Sequence, residues 1–247
     1  MKIVRIRRGV LFWFFLLTPI LQFYISPYIP IKAALVGGIA ISIFVFLSLF
    51  VVGIFFGRAP CGWIMPCGGF QETCFYINDK KIFAGKKDRI KYVIWALWFT
   101  ALLVILLSQI GKLHIDLWFA LDHGISVSQP LYYIPYYLVL IILFSLCMGL
   151  GKRALCHYGC WIAPFMIFGR KLGNTLRLPG LRLKADQLKC TDCQTCNKVC
   201  PMGIDVSSLV KSGKMEHSEC ILCAECSNAC PAQVMRFTFT RYECNRS

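Results

Sequence analysis

Residues 190–201 read CTDCQTCNKVCP, and residues 220–231 read CILCAECSNACP. Each is C-x2-C-x2-C-x3-C-P. In such a run three closely spaced thiolates clamp one face of an iron–sulfur cubane, and the fourth is displaced toward a neighbouring cluster. The proline that follows turns the chain away. Zinc is the competing reading, but zinc sites usually take their four ligands as C-x2-C pairs. Two such runs close together, each ending in Cys-Pro, point to paired [4Fe–4S] clusters.

Outward from these runs the chain becomes apolar. It has 247 residues, 57% of them hydrophobic and 14% aromatic, with a mean hydropathy of +0.61. That is too apolar for an ordinary soluble domain. Four stretches are long enough to span a bilayer, which needs roughly 20 apolar residues. They lie between Arg8 and Lys32, between Lys32 and Arg58, between Lys91 and Lys112, and from about Tyr132 to Leu150. The expected fold class is an α-helical membrane protein. Four transmembrane helices in two pseudo-repeated hairpins occupy residues 1–170, followed by a basic juxtamembrane connector over 171–184 and an α+β two-cluster domain over 185–247. Thr18-Pro19 is expected to kink the first helix. The basic start lacks a small-x-small cleavage site and three further runs follow, which argues against a cleaved signal peptide.

The formal net charge is +15, from 27 Lys and Arg against 12 Asp and Glu. Four basic residues precede the first apolar run, seven lie between the second and third, and fourteen follow the fourth. Only Lys32 and Lys112 lie in the opposite loops. This asymmetry predicts a multi-pass protein of the cytoplasmic (inner) membrane with both termini cytoplasmic. Topology and anionic lipid then account for the surplus charge, and no nucleic-acid partner is needed. The connector interleaves Arg and Lys with Leu and is expected to lie on the lipid surface. The same orientation puts the tail cysteines where thiols stay reduced.

The chain has 15 cysteines, and four more fall in a second repeat. Residues 58–69 read RAPCGWIMPCGG and residues 153–164 read RALCHYGCWIAP. Both follow an even-numbered apolar run, on the side expected to carry the tail. Duplication of this kind often sets matching motifs about a pseudo-twofold axis. Cys61, Cys67, Cys156 and Cys160 are therefore expected to converge at the membrane edge as a third redox site. That site is either a third iron–sulfur centre or a dithiol pair, and Arg58 and Arg153 favour thiolate. The alternative is that these are small buried apolar side chains, as Cys74, Cys147 and Cys244 are expected to be.

Over about residues 186–240 the tail resembles bacterial two-cluster ferredoxins. The resemblance implies one cluster on Cys190, Cys193, Cys196 and Cys230, and a second on Cys200, Cys220, Cys223 and Cys226. With its four runs and its cysteine pairs, nearly the whole chain resembles the NapH-type membrane iron–sulfur proteins. Related arrangements occur in NosR-, MauN- and CcoG-type proteins. The family motif is C-x3-C-P. Here Met65 stands where the first copy's second cysteine is expected, with Cys67 two places on, and Trp161 replaces proline in the second copy. NapH-type proteins are described as quinol dehydrogenase components of periplasmic nitrate reductase systems. The resemblance implies electron transfer between the quinone pool and a redox partner protein, or subunits of a larger membrane oxidoreductase. An accessory role in the assembly, reduction or regulation of another metalloenzyme is the alternative.

Other chemistries find no residues. The four histidines, His114, His123, His157 and His217, lie outside the apolar runs, where axial haem ligands are expected, and no C-x-x-C-H occurs. There is no glycine-rich nucleotide loop. No Asp, Glu, Lys or Arg lies within a run, which argues against ion transport. The loop from 111 to 130 carries His114, Asp116, Asp122 and His123. It is either a solvated interfacial loop or a quinol or docking site, with Glu72 or His157 as the alternative on the opposite face.

Overall fold

The computed structural model describes residues 2–242 and is mostly helical. Cys244 lies outside the described residues. Helices α1 (Lys2–Leu16) and α2 (Thr18–Ile25) take up the first apolar run and meet at 83°. Pro19 has no N–H to offer the Phe15 carbonyl, and the Thr18 hydroxyl donates to that oxygen instead. The expected kink is thus a sharp corner. Two indoles fix the chain just beyond it. Trp161 Nε1 donates to the Ile25 carbonyl at 2.9 Å and Trp98 Nε1 to that of Pro27 at 2.7 Å.

The second apolar run is also interrupted. Helix α3 (Tyr28–Leu35) stops before Gly37, whose φ is +77° and whose missing Cβ would stand 2.8 Å from the Lys112 carbonyl oxygen. There β1 (Gly38–Ile39) pairs in parallel with β2 (His114–Ile115). Helix α4 (Ile41–Phe56) follows. Its 16 residues make about 24 Å at 1.5 Å per residue, short of a hydrocarbon core of about 30 Å. Helices α5 (Ala59–Trp63) and α6 (Pro66–Thr73) carry the first cysteine pair. Among the described residues, two helical stretches are long and apolar enough to cross a membrane. They are Lys86–Ser108, which includes α7 (Ile90–Ser108), and Pro130–Gly149, which includes α8 (Tyr133–Gly149). The bent α1–α2 pair makes a third if it counts as one span. Helix length alone therefore supports two of the four expected crossings; the Pro19 corner and the Gly37–Gly38 break divide the other two runs.

Beyond α8 the chain turns through Gly151 and Arg153, both at positive φ, into a π-helical turn over Leu155–Gly159. Helix α9 (Ala163–Thr175) then packs on α4, backbone against backbone. A Cβ at Gly169 would stand 2.2 Å from the Phe50 carbonyl oxygen, and one at Gly173 or Gly53 would stand 2.7 Å from that of Ile54 or Met166. Small residues four apart are what allow helices to approach this closely. Residues 171–184, expected as a basic connector, have regular structure. They form the end of α9, a turn, and most of β3 (Gly180–Ala185), because Leu181-Arg182-Leu183-Lys184 alternates with the period of a strand.

The tail is built twice. Its first half carries α10 (Thr195–Val199), its second α12 (Glu225–Ala229), with α11 (Val206–Ser212) between them. Positive φ recurs thirty residues on, at Asp192 and Leu222, Gln194 and Ala224, and Gly203 and Gln233. Strand β4 (Met235–Thr240) closes the domain, antiparallel to β3, from Gly180 opposite Thr240 to Ala185 opposite Met235. A single apolar core joins the halves of the molecule. Phe46, Leu49, Ile162 and Met166 belong to the same buried cluster as Met202, Ile204, Val206 and Ile221.

Candidate metal centre

The doubled backbone winds each cysteine run around a pocket. Cys190, Cys193 and Cys196 line one, and Cys230 from the second run lines it with them. Cys220, Cys223 and Cys226 line the other, joined by Cys200 from the first. Each pocket thus takes three thiols of one run and the displaced fourth of the other. The positive-φ residues between the cysteines curl the loop inward and aim its amides at sulfur. Cys200 is faced by the N–H groups of Met202, Gly203 and Ile204, and Cys223 by that of Glu225. Burial pushes the Cys220 thiol up to about 11 and Cys223 to about 12, so metal binding there must displace protons. Among the described residues, no three His, Cys, Asp or Glu side chains close on a point as ligands of a single ion do. A cubane spaces its thiolates more widely, and the donor set is all sulfur. The residues present, three thiols of one run with the displaced fourth of the other, fit [4Fe–4S] clusters. The two pockets differ in access, since Cys193 is exposed whereas Cys200 and Cys223 are buried.

The first cysteine-pair motif lies directly against the second pocket. Gly62 is packed so closely that a Cβ would stand 2.4 Å from the Ile221 carbonyl oxygen, and Trp63 Nε1 donates to the Leu222 carbonyl at 3.0 Å. Around this contact sits a buried ionic network. Arg58 donates to Glu219 at 2.6 Å, and Lys91 pairs with the same carboxylate. Arg153 pairs with Glu72 and also donates to the Cys61 carbonyl at 3.1 Å. Arg7 spans Glu72 (2.6 Å), Glu225 (2.8 Å) and the Gly62 carbonyl (3.0 Å). Burial pushes Glu72 and Glu219 up, but the cations outweigh it and hold both below the usual carboxylate value. His157 Nδ1 meets Asp88 at 2.7 Å, entirely buried.

The two cysteine motifs cross. The arginine of the second copy bonds the cysteine carbonyl of the first, in space that Gly68 leaves open. Cys61 lies within electrostatic reach of Cys156, Cys67 of both, and Cys160 of Cys61 and Cys156. Gln71 Nε2 reaches Cys156 Sγ at 3.6 Å. Cys74 and Cys147 are buried nearby, as a small-apolar reading expects. Sequence reasoning singled out Glu72, Arg58, Arg153 and His157 but missed Arg7, Lys91, Asp88 and Glu219. The only signal they offer is position: Arg7 lies in the basic start, Asp88 and Lys91 open an apolar run, and Glu219 precedes a cysteine run.

The loop from 111 to 130 does not form one constellation. His114, Asp122 and His123 are exposed, and Asp116 is half-buried. Asp122 and His123 pair with each other at 2.7 Å, while His114 Nδ1 faces the Lys112 carbonyl at 3.4 Å.

Comparison with known proteins bears on the tail and on the whole length. Residues 189–235 match the 4Fe-4S dicluster domain family, so the chain contains that domain. Two uncharacterized proteins of Methanocaldococcus jannaschii are similar over most of the chain. MJ0750 is 25% identical over 211 residues, covering 84% of this chain and 83% of its own. MJ0749 is 27% identical over 234 residues, covering 85% and 84%. Both similarities extend far beyond the cysteine-rich tail, so the apolar half accompanies it in these relatives. No solved structure matches the chain.

Proposed function

We propose that this protein is a membrane-bound iron–sulfur electron carrier that passes electrons between the quinone pool and a redox partner. Two [4Fe–4S] clusters, which each exchange one electron at a time, supply the redox chemistry. One would be held by Cys190, Cys193, Cys196 and Cys230, the other by Cys200, Cys220, Cys223 and Cys226. The observation that carries the reading is the crossed pair of four-cysteine pockets, packed through one apolar core onto long apolar helices. The membrane would be the inner membrane, with both termini on its cytoplasmic side. The exposed Cys193 face suits a partner protein. That face equally suits an accessory role in reducing another metalloenzyme, which is the second reading.

A pocket of about 540 Å³ supports quinol as the membrane-side reactant. Ligand sites run from roughly 300 to 1,000 Å³. This one lies where α1 meets α6 and the tail. Phe12, Phe75 and Tyr76 offer it aromatic faces, and Glu72, ionised between Arg7 and Arg153, offers an acceptor for a quinol O–H. Val199 and Pro201, the neighbours of Cys200, also line it. Adding quinol anaerobically to the purified protein in lipid nanodiscs should bleach the visible cluster absorption. Tyr76→Ala should slow that reduction several-fold while leaving iron content unchanged. Clusters that dithionite reduces and no quinol does would reject quinone as the reactant.

A further inference from the structure

We infer that Cys61, Cys67, Cys156 and Cys160 hold a third iron–sulfur cluster, a [4Fe–4S] centre at the junction between the apolar helices and the tail. The inference rests on the iron–sulfur reading of the tail and is independent of the quinone reading. Three observations carry it. The first is convergence. Two motifs 95 residues apart in Arg58 and Arg153 interlock: Arg153 Nη1 lies 3.1 Å from the Cys61 carbonyl oxygen and 4.0 Å from Cys156 Sγ, Gln71 Nε2 lies 3.0 Å from the Cys67 carbonyl oxygen and 3.6 Å from Cys156 Sγ, and Cys160 lies within electrostatic reach of Cys61 and Cys156. Cys156 sits in a π-helical turn, a local widening of the helix that is frequent at functional sites.

The second observation is unspent donors. Arg58 and Arg153 are 2% and 0% exposed. Nε and Nη2 of Arg58, and Nε of Arg153, have no hydrogen-bond acceptor among the described residues. Buried guanidinium donors are rarely left without partners. Neutral thiols are weak acceptors, whereas metal-bound thiolates and sulfides are anionic ones. Arg58 also acts on Cys61, Cys156 and Cys160 together, so its charge is directed at the group.

The third observation is charge. Two neighbouring ion-pair groups set Arg7, Arg8 and Arg153 against Glu72 and Glu225, and Arg58 and Lys91 against Glu219. Counting Asp88, which pairs with His157, the five cations exceed the four carboxylates by one charge. An oxidised cubane with four thiolates carries about two negative charges, and this surplus offsets about half of that. The place is also apt: Gly62, next to Cys61, touches Ile221, next to Cys220. Met65, where a C-x3-C-P copy has cysteine, leaves Cys67 as the fourth thiol.

The test is an iron and acid-labile sulfide count on the full-length protein, purified and reconstituted without oxygen. About twelve iron atoms per chain are expected, against about eight for the tail alone. Cys156→Ser should remove about four and leave the electron paramagnetic resonance signals of the tail clusters in place. Cys196→Ser should remove a different four and spare the membrane-edge signal. About eight irons in the wild type, unchanged by Cys156→Ser, would overturn the inference. So would recovery of these four cysteines as disulfides by differential alkylation and mass spectrometry. If Cys156→Ser does not fold, the wild-type count and Cys196→Ser still decide. Failure of quinol to reduce the protein leaves the count untouched, so the two proposals fail separately.

Discussion

Glu216 takes Arg170 and Arg182 on its two carboxylate oxygens, at 2.7 and 2.9 Å, and so ties α9 to β3. Burial pushes its carboxyl up, but the two arginines outweigh that and hold it below its ordinary 4.5. Glu72 is depressed in the same way by Arg153 and Arg7. A carboxyl with a lowered folded value stabilises the fold fully above its ordinary value and loses that contribution as pH falls through the folded one. Thermal stability should therefore decline as pH drops below about 4.5. Glu216→Gln should lower the melting temperature near neutral pH, at a cost of about 1–3 kcal/mol, and flatten this acid decline. An equally steep decline in the variant would assign the acid sensitivity elsewhere. The partners of Glu216 lie 46 and 34 residues away, and nothing local in the sequence announces them. The eight tail cysteines were legible for the opposite reason, because their spacing is itself the geometry. The left-handed backbone at Gln194 and Ala224 was not, since neither residue type requests it.

At the scale of elements, the contact between α4 and α9 depends on absent side chains. Gly169→Leu puts carbon where the Phe50 carbonyl oxygen lies 2.2 Å from even a Cβ. The helices must separate, at a cost of about 1–3 kcal/mol. The expected readout is a lower melting temperature with faster proteolysis between α9 and β3. Gly9→Ala, which meets nothing within 4 Å, should leave the melting temperature unchanged or raise it. Equal losses in both variants would refute this account of the interface. Hydropathy found the apolar runs because it reads composition. It could not find their ends, because an 83° corner and a Gly37–Gly38 break alter direction while leaving the runs apolar. Thr18-Pro19 did mark the corner, although not its angle. The strand in residues 180–184 was readable from its alternation, but the abundance of Arg and Lys drew the reading toward lipid.

For the molecule as a whole, the proposed orientation has a direct test. Ser128→Cys and Lys87→Cys both lie at exposed positions, Lys87 just before α7 and Ser128 in the loop between α7 and α8. In intact cells a membrane-impermeant maleimide should add label to the Ser128 variant above the native-cysteine background, and none to the Lys87 variant. The reverse pattern would invert the topology. The basic surplus that suggested this orientation is only partly a lipid-facing feature. Arg7, Arg58, Lys91 and Arg153 are buried against carboxylates, so some of the asymmetry wires the tail to the helices. Gly62 and Trp63 on Ile221 and Leu222, Gly203 on Ile82, and Arg7 on Glu225 hold the tail at three places. A domain fastened in this way is no swinging arm. It cannot carry charge by leaving one docking position for another, so any soluble partner must do the travelling, and turnover should follow that partner's concentration rather than the length of a tether.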